Sequence, residues 1–227
     1  MTSRDAAWSA LGQVRDPELD RPITELGFVA DIVVKHGSAV RVELRLPTYF
    51  CAPNFAWLMV ADARDALAAR FDRVDVVLLE HFASDEINTG VAAVSDFAAV
   101  FPGDVTAVDA ELVELRSVFE RKAHTAAQER MARALVAAGV VSESLATLSW
   151  AAARETAPEA AAAVARRRDR LGICSTSAFC DDEGVALRPD TLPGWLRFAQ
   201  TVRVSIEGNA GFCRGLLETR YGLARAG

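Results

Sequence analysis

The sequence predicts an α+β domain of helix–strand–strand–helix–strand order over residues 1–100, followed by a mainly α-helical domain over residues 101–227. Residues 40–46, VRVELRL, alternate strictly between apolar and charged, the mark of a half-buried strand. Residues 54–70 carry Phe55, Leu58, Met59, Ala63, Ala66 and Leu67 at helical spacing, and RVDVVLLE (73–80) follows as a mostly apolar run. Beyond residue 100, the stretches 109–138 and 142–170 are rich in Ala, Arg and Glu and keep helical spacing throughout.

Taken in order, Trp8, Leu11 and Val14 predict a short amphipathic helix over residues 4–14. Asp16-Pro17 stops it, because a proline disfavours helical geometry in the residue before it. FVADIVVK (28–35) predicts the first strand, and His36-Gly37-Ser38 the turn of an antiparallel hairpin with residues 40–46. PTYFCAP (47–53) is a loop, and Asn54 is placed to cap the next helix. After the third strand the first domain closes near residue 95, an α+β sandwich with helices on one face of a small sheet.

In the second half, Pro158 starts or kinks a helix. Arg166, Arg167 and Arg168 read as a solvated helix C-terminus, favoured by the macrodipole, with an anion site as the alternative. Residues 171–194 are loop-like. Residues 195–206 are strand or helix without a decision between them. Gly208 and Gly211 are expected to break whatever they form before a last helix over 212–221.

Composition narrows the function classes. Half of the 227 residues are hydrophobic (51%), enough for a core without disulfide support. A net charge of -6 with scattered Lys and Arg predicts no nucleic-acid partner, which would need a basic face. No stretch is long and apolar enough for a membrane span, and MTSRDAAWSAL holds no apolar signal region. The expected compartment is therefore the cytoplasm, where Cys51, Cys174, Cys180 and Cys213 stay mostly reduced.

Two runs concentrate the chemistry, DPELDRPITELGFV (16–29) and LPTYFCAP (46–53). With the hairpin between them, both loops fall at one end of the sheet, which gathers Asp16, Glu18, Thr48 and Cys51. Cys51 stands just ahead of a helix start, where free backbone N–H groups favour a thiolate, the form that ligates soft metals and iron–sulfur clusters. An inert, buried cysteine is the competing reading. Cys174, Cys180 and Cys213, with Asp181-Asp182-Glu183, form a second candidate thiolate site for iron or zinc, although the five-residue spacing of the first two fits no common motif. Glu120 and His124 share a helix face that is either a metal pair or solvated surface.

The order DPE (16–18), then ITELGFV (23–29), then a hairpin, then Thr48-x-x-Cys51-x-Pro53 opening a helix resembles the metal–sulfur cluster assembly factor family, which includes the accessory protein of the phenylacetate oxygenase. The resemblance covers about residues 1–95 and leaves the C-terminal half unmatched. It implies a factor without catalytic turnover that assists iron or iron–sulfur cluster assembly in a client metalloenzyme. It also implies Cys51 as the ligating residue, supported by Asp16 and Glu18, with Thr48 shaping the loop. A transient iron or cluster is the implied cofactor. The implied partners are a client metalloenzyme subunit, with a soluble diiron monooxygenase as the candidate, and other assembly factors; a homodimer stays open. The chain departs from the family in Cys51-Ala52-Pro53, where Cys-Pro is usual, and in His81-Phe82-Ala83 at the third strand's end, where a Trp is common. His81 is there either a replacement ligand or an ordinary surface residue. Two other functions remain open: an adaptor or chaperone for an oxygenase subunit that binds no metal, and an enzyme with a cysteine nucleophile, for which no base or oxyanion motif is visible.

Overall fold

The computed structural model of the chain describes residues 2–102 and 108–222. It divides into two compact units, Met1–Glu114 with Gly208–Gly227, and Leu115–Glu207. The first unit thus takes its last piece from the far end of the chain.

The first unit begins with α1 (Ser3–Leu11), held at its start by a capping box. The Asp5 backbone donates to the Thr2 hydroxyl at 3.1 Å, and the Thr2 backbone donates to the Asp5 carboxylate at 2.8 Å. The helix is shorter than the apolar spacing predicts, and Ala7, Ala10 and Leu11 form its buried face. Trp8 is half exposed. Strands β1 (Val29–Lys35) and β2 (Ala39–Arg45) pair antiparallel across a turn in which His36 and Gly37 both have positive φ, 52° and 74°. Such angles suit the twist of a tight hairpin. In β2 the alternation is realised: Val40, Val42 and Leu44 are buried, and Arg41 is exposed. Each of those side chains contributes about 1.5–3 kcal/mol by leaving water.

Helix α2 (Pro53–Ala68) crosses to β3 (Arg73–Leu79), which pairs parallel to β2, so the sheet order is β1-β2-β3. Asn54 does not cap α2. The cap position is Ala52, and Pro53 opens the helix where its fixed φ suits the first turn. Two short helices, α3 (Ser84–Ala92) and α4 (Phe97–Val100), follow β3. Ile87 and Val91 of α3 are buried, and Phe97 and Phe101 stack edge-on against Trp57 of α2.

The second unit is helical. It holds most of α5 (Val108–Ala137), a 3-10 turn at Ser142–Thr147, α6 (Trp150–Thr156), α7 (Pro158–Leu171) and the first part of α8 (Leu192–Tyr221). Met131 and Leu135 of α5, Val164 of α7, Leu145 and Phe179 form its core. Pro158 sits at the first turn of α7, so it starts that helix. Gly208 and Gly211 do not break α8. Its buried positions Ile206, Ala210 and Leu217 keep helical spacing straight through the glycines, and that packing outweighs the roughly 1 kcal/mol each glycine costs. Residues 195–206 are accordingly helix.

Two of the three clustered arginines are not solvated. Arg167 and Arg168 are buried, and only Arg166 is exposed. Arg168 donates to the carbonyls of Ser177 and Ala178, both at 3.0 Å, and its guanidinium lies 4.2 Å from the Trp150 ring centre. One planar side chain thereby satisfies a loop whose carbonyls would otherwise be buried unpaired.

Among the described residues, no helix is long and apolar enough to cross a membrane.

Candidate functional site

The candidate site is built from a turn, a loop and a helix of the first unit. The turn begins at Asp16. Its Oδ1 accepts from the backbone of Glu18 at 2.9 Å and of Leu19 at 2.8 Å, the local bonding that makes Asp a turn former. Leu19 and Ile23 anchor the turn in the core. Asp16 itself is buried, and burial pushes its carboxyl up to about 6. The N–H groups of Leu19 and Glu18 pull the other way, and the Glu18 charge adds to the rise.

The loop joins β2 to α2. Thr48 Oγ1 lies 3.3 Å from Cys51 Sγ, so the hydroxyl fixes the sulfur's direction. Cys51 is partly exposed, two residues before the first turn of α2. Its carbonyl is held by His81, whose Nε2 lies 2.7 Å away. His81 Nδ1 accepts from the Ala83 backbone at 3.2 Å, so the other nitrogen carries the hydrogen and donates to Cys51. His81 is thus neither a surface residue nor a free ligand. It is a buried clamp on the cysteine loop.

The helix is the end of α8. Asn209 donates to Glu18 Oε1 at 3.2 Å, a contact across 191 residues of chain. Ala210 and Leu217 pack into the same core as α1, the sheet and α2. Leu217 reaches Gly27, where an added Cβ would stand 3.2 Å from it. Arg220 donates to the carbonyls of Leu46 and Glu80, at 3.2 and 2.6 Å, at the ends of β2 and β3. Between these anchors sits Cys213, partly buried against that core, as is Cys51. Burial pushes the Cys213 thiol up to about 11, and the negative charges of Asp16, Cys51 and Glu18 add to the rise. Cys213 therefore shares one edge with the acidic turn and the cysteine loop.

The expected trio of Cys174, Cys180 and Cys213 is divided between the two units. Cys213 belongs to the first unit and the other two to the second. Cys174 is exposed; Cys180 is fully buried, its sulfur 3.3 Å from Arg168 Nη2 and its backbone bonded in both directions to the Gln128 side chain. Burial pushes the Cys180 thiol up, against the opposing charge of Arg168. This is a packed structural cysteine. His124 is fully buried rather than solvated, with Nδ1 3.4 Å from Gln128 and 3.6 Å from Asp182. Among the described residues, no three His, Cys, Asp or Glu side chains stand together so as to hold a metal ion.

An aromatic patch borders the cysteine loop. Tyr49, Phe50 and Phe82 are about half or more exposed, and Tyr49 stacks with both others. Large exposed rings grouped in this way mark contact surfaces.

Sequence reasoning placed the turn and the loop but missed the Asn209 bond, the packing of Cys213 on the first unit's core, and the His81 clamp. A His at a strand end, opposite a cysteine loop, was the only local signal for the clamp. Nothing local signals the α8 contacts.

Residues 4–77 match the model of a family described as iron–sulfur cluster assembly protein. The match takes in Asp16, Glu18, Thr48 and Cys51, ends within β3, and leaves the C-terminal half unmatched. No curated protein and no solved structure matches the chain. Residues 4–77 are thus similar to iron–sulfur cluster assembly proteins, a likeness that supports a general role in such assembly.

Proposed function

We propose that the chain is a maturation factor that receives iron or an iron–sulfur cluster at Cys51 and passes it to a client metalloenzyme subunit. The observation that carries this reading is the setting of Cys51. It is partly exposed, oriented by Thr48 and clamped by His81, within the segment that matches the assembly family. A clamped, solvent-reaching sulfur can act as a ligand with little reorganisation. Iron–sulfur clusters take four protein ligands. Cys51 alone supplies one of these, so cargo held by it keeps open positions. Open positions let a client's cysteines or carboxylates enter before release, which suits a carrier better than a resident cluster. Asp16 and Glu18 support the site by shaping the turn, Asp16 through the Glu18 and Leu19 backbones and Glu18 through Asn209. The exposed Tyr49, Phe50 and Phe82 beside the loop are the surface on which we place the client. A soluble diiron monooxygenase is the client class we infer, on the resemblance of the N-terminal segment alone.

The test is anaerobic reconstitution of the full chain with ferrous iron and sulfide, followed by desalting. The wild type should retain iron and show thiolate-to-iron absorption, and Cys51→Ala should lose both. Equal retention by the Cys51→Ala protein would remove this reading. A metal-independent adaptor is then favoured if the same variant still activates the client.

A further inference from the structure

We infer that Cys213 is the second sulfur of the Cys51 site, so that α8 and the loop before α2 together present a dithiol to iron. This inference rests on the function proposed above. The placement of α8 carries it. Asn209, Cys213 and Leu217 follow at four-residue steps and so lie along one helix face. The first member of that row bonds Glu18, and the last packs against Gly27 in the turn region. One turn further, Arg220 grips the end of β2, five residues before Cys51. A side chain between these fixed points is directed at the edge that Glu18 and Cys51 share. Both cysteines are free and partly exposed, and both pack on the same core. Cys213 also interacts electrostatically with Cys51, Asp16 and Glu18 but has no hydroxyl or amide partner of its own among the described contacts.

The chemistry balances without an oxidant. Two thiols and one ferrous ion give an iron dithiolate and release two protons, and the iron stays ferrous. Two sulfurs grip a soft or borderline metal far better than one, because the second ligand binds intramolecularly. The same pair leaves two coordination positions for sulfide or for a client's ligands.

The experiment uses the reduced full chain and dibromobimane, which becomes fluorescent when both its arms alkylate thiols. The expected product joins the peptide containing Cys51 to the peptide containing Cys213. Its fluorescence should vanish in Cys51→Ala and in Cys213→Ser and persist in Cys174→Ser. In iron reconstitution, Cys213→Ser should weaken retention at least about tenfold, the minimum typical when even a supporting group is lost. Circular dichroism of the serine variant, which is nearly isosteric, confirms the fold. The inference is overturned if the folded wild type yields no 51–213 cross-link, or if Cys213→Ser retains iron like the wild type. Retention lost in Cys51→Ala but kept in Cys213→Ser removes this inference alone. Retention kept in both removes the proposed function as well.

Discussion

Replacing Asp16 with Asn removes a buried charge and leaves an oxygen that can still accept from the Glu18 and Leu19 backbones. The size of the effect follows from the carboxyl's move from 3.8 to about 6, which costs the ionised form about 3 kcal/mol. The folded protein holds this proton up to about pH 6, and the unfolded chain gives it up near the ordinary carboxyl value. Between those values the folded state binds more protons, so stability falls as pH rises from about 4 through 6. The stabilisation is complete below pH 4 and gone above the folded value. Asp16→Asn should therefore exceed the wild type by up to about 3 kcal/mol at pH 8 and by little or nothing at pH 4. The assay is urea unfolding at both pH values, read from amide signals of Val40 and Val42 so that the first unit alone is followed. A carbon-detected titration of Asp16 should show a midpoint near 6. A variant less stable than wild type at pH 8, or an offset equal at both pH values, would refute the claim that burial governs this carboxyl.

Thiol alkylation should proceed in an order set by exposure and environment. Exposed Cys174 reacts first. Cys213, its thiol raised to about 11, reacts slowly at neutral pH and gains about tenfold per pH unit between pH 8 and 10. Cys180 reacts only on unfolding, and peptide mass spectrometry over time distinguishes the three. Gly90→Ala should destabilise the first unit by about 1–3 kcal/mol, because the new methyl would stand 2.5 Å from Val100 and 2.7 Å from the Trp57 ring. Thermal unfolding followed by Trp fluorescence measures it, and an unchanged midpoint would contradict the packing described for α3.

The parts legible in the sequence are those whose causes are local. In β2 one face meets the core and the other meets water, so each residue reports its own environment and VRVELRL reads directly as a strand. Cys51 was legible because the loop, the proline and the helix start lie within a few residues of it. Helix α3 was not, since Ile87 and Val91 are its only large apolar anchors in nine residues, too few to establish a period. The arginine run misled for a related reason. Arg168 is buried because loop carbonyls at 175–178 need a donor, and that need exists only after the loop has folded over α7. Glycines at 208 and 211 read as breaks because propensity is local, whereas the packing of Ala210 and Leu217 is not.

The boundary of the family match and the boundary of the working unit are different things. The match ends at residue 77, yet α8 fills part of the core beneath the site through Ala210 and Leu217, bonds Glu18 through Asn209, and ties down the ends of β2 and β3 through Arg220. A fragment cut after β3 would expose Gly27, Leu46 and the acidic turn on the side that α8 covers. It would also lose Cys213 and the Asn209 bond that holds Glu18. The second unit lies between residue 114 and residue 208 of this continuous arrangement. It is therefore an insertion in the sequence of the site-bearing unit.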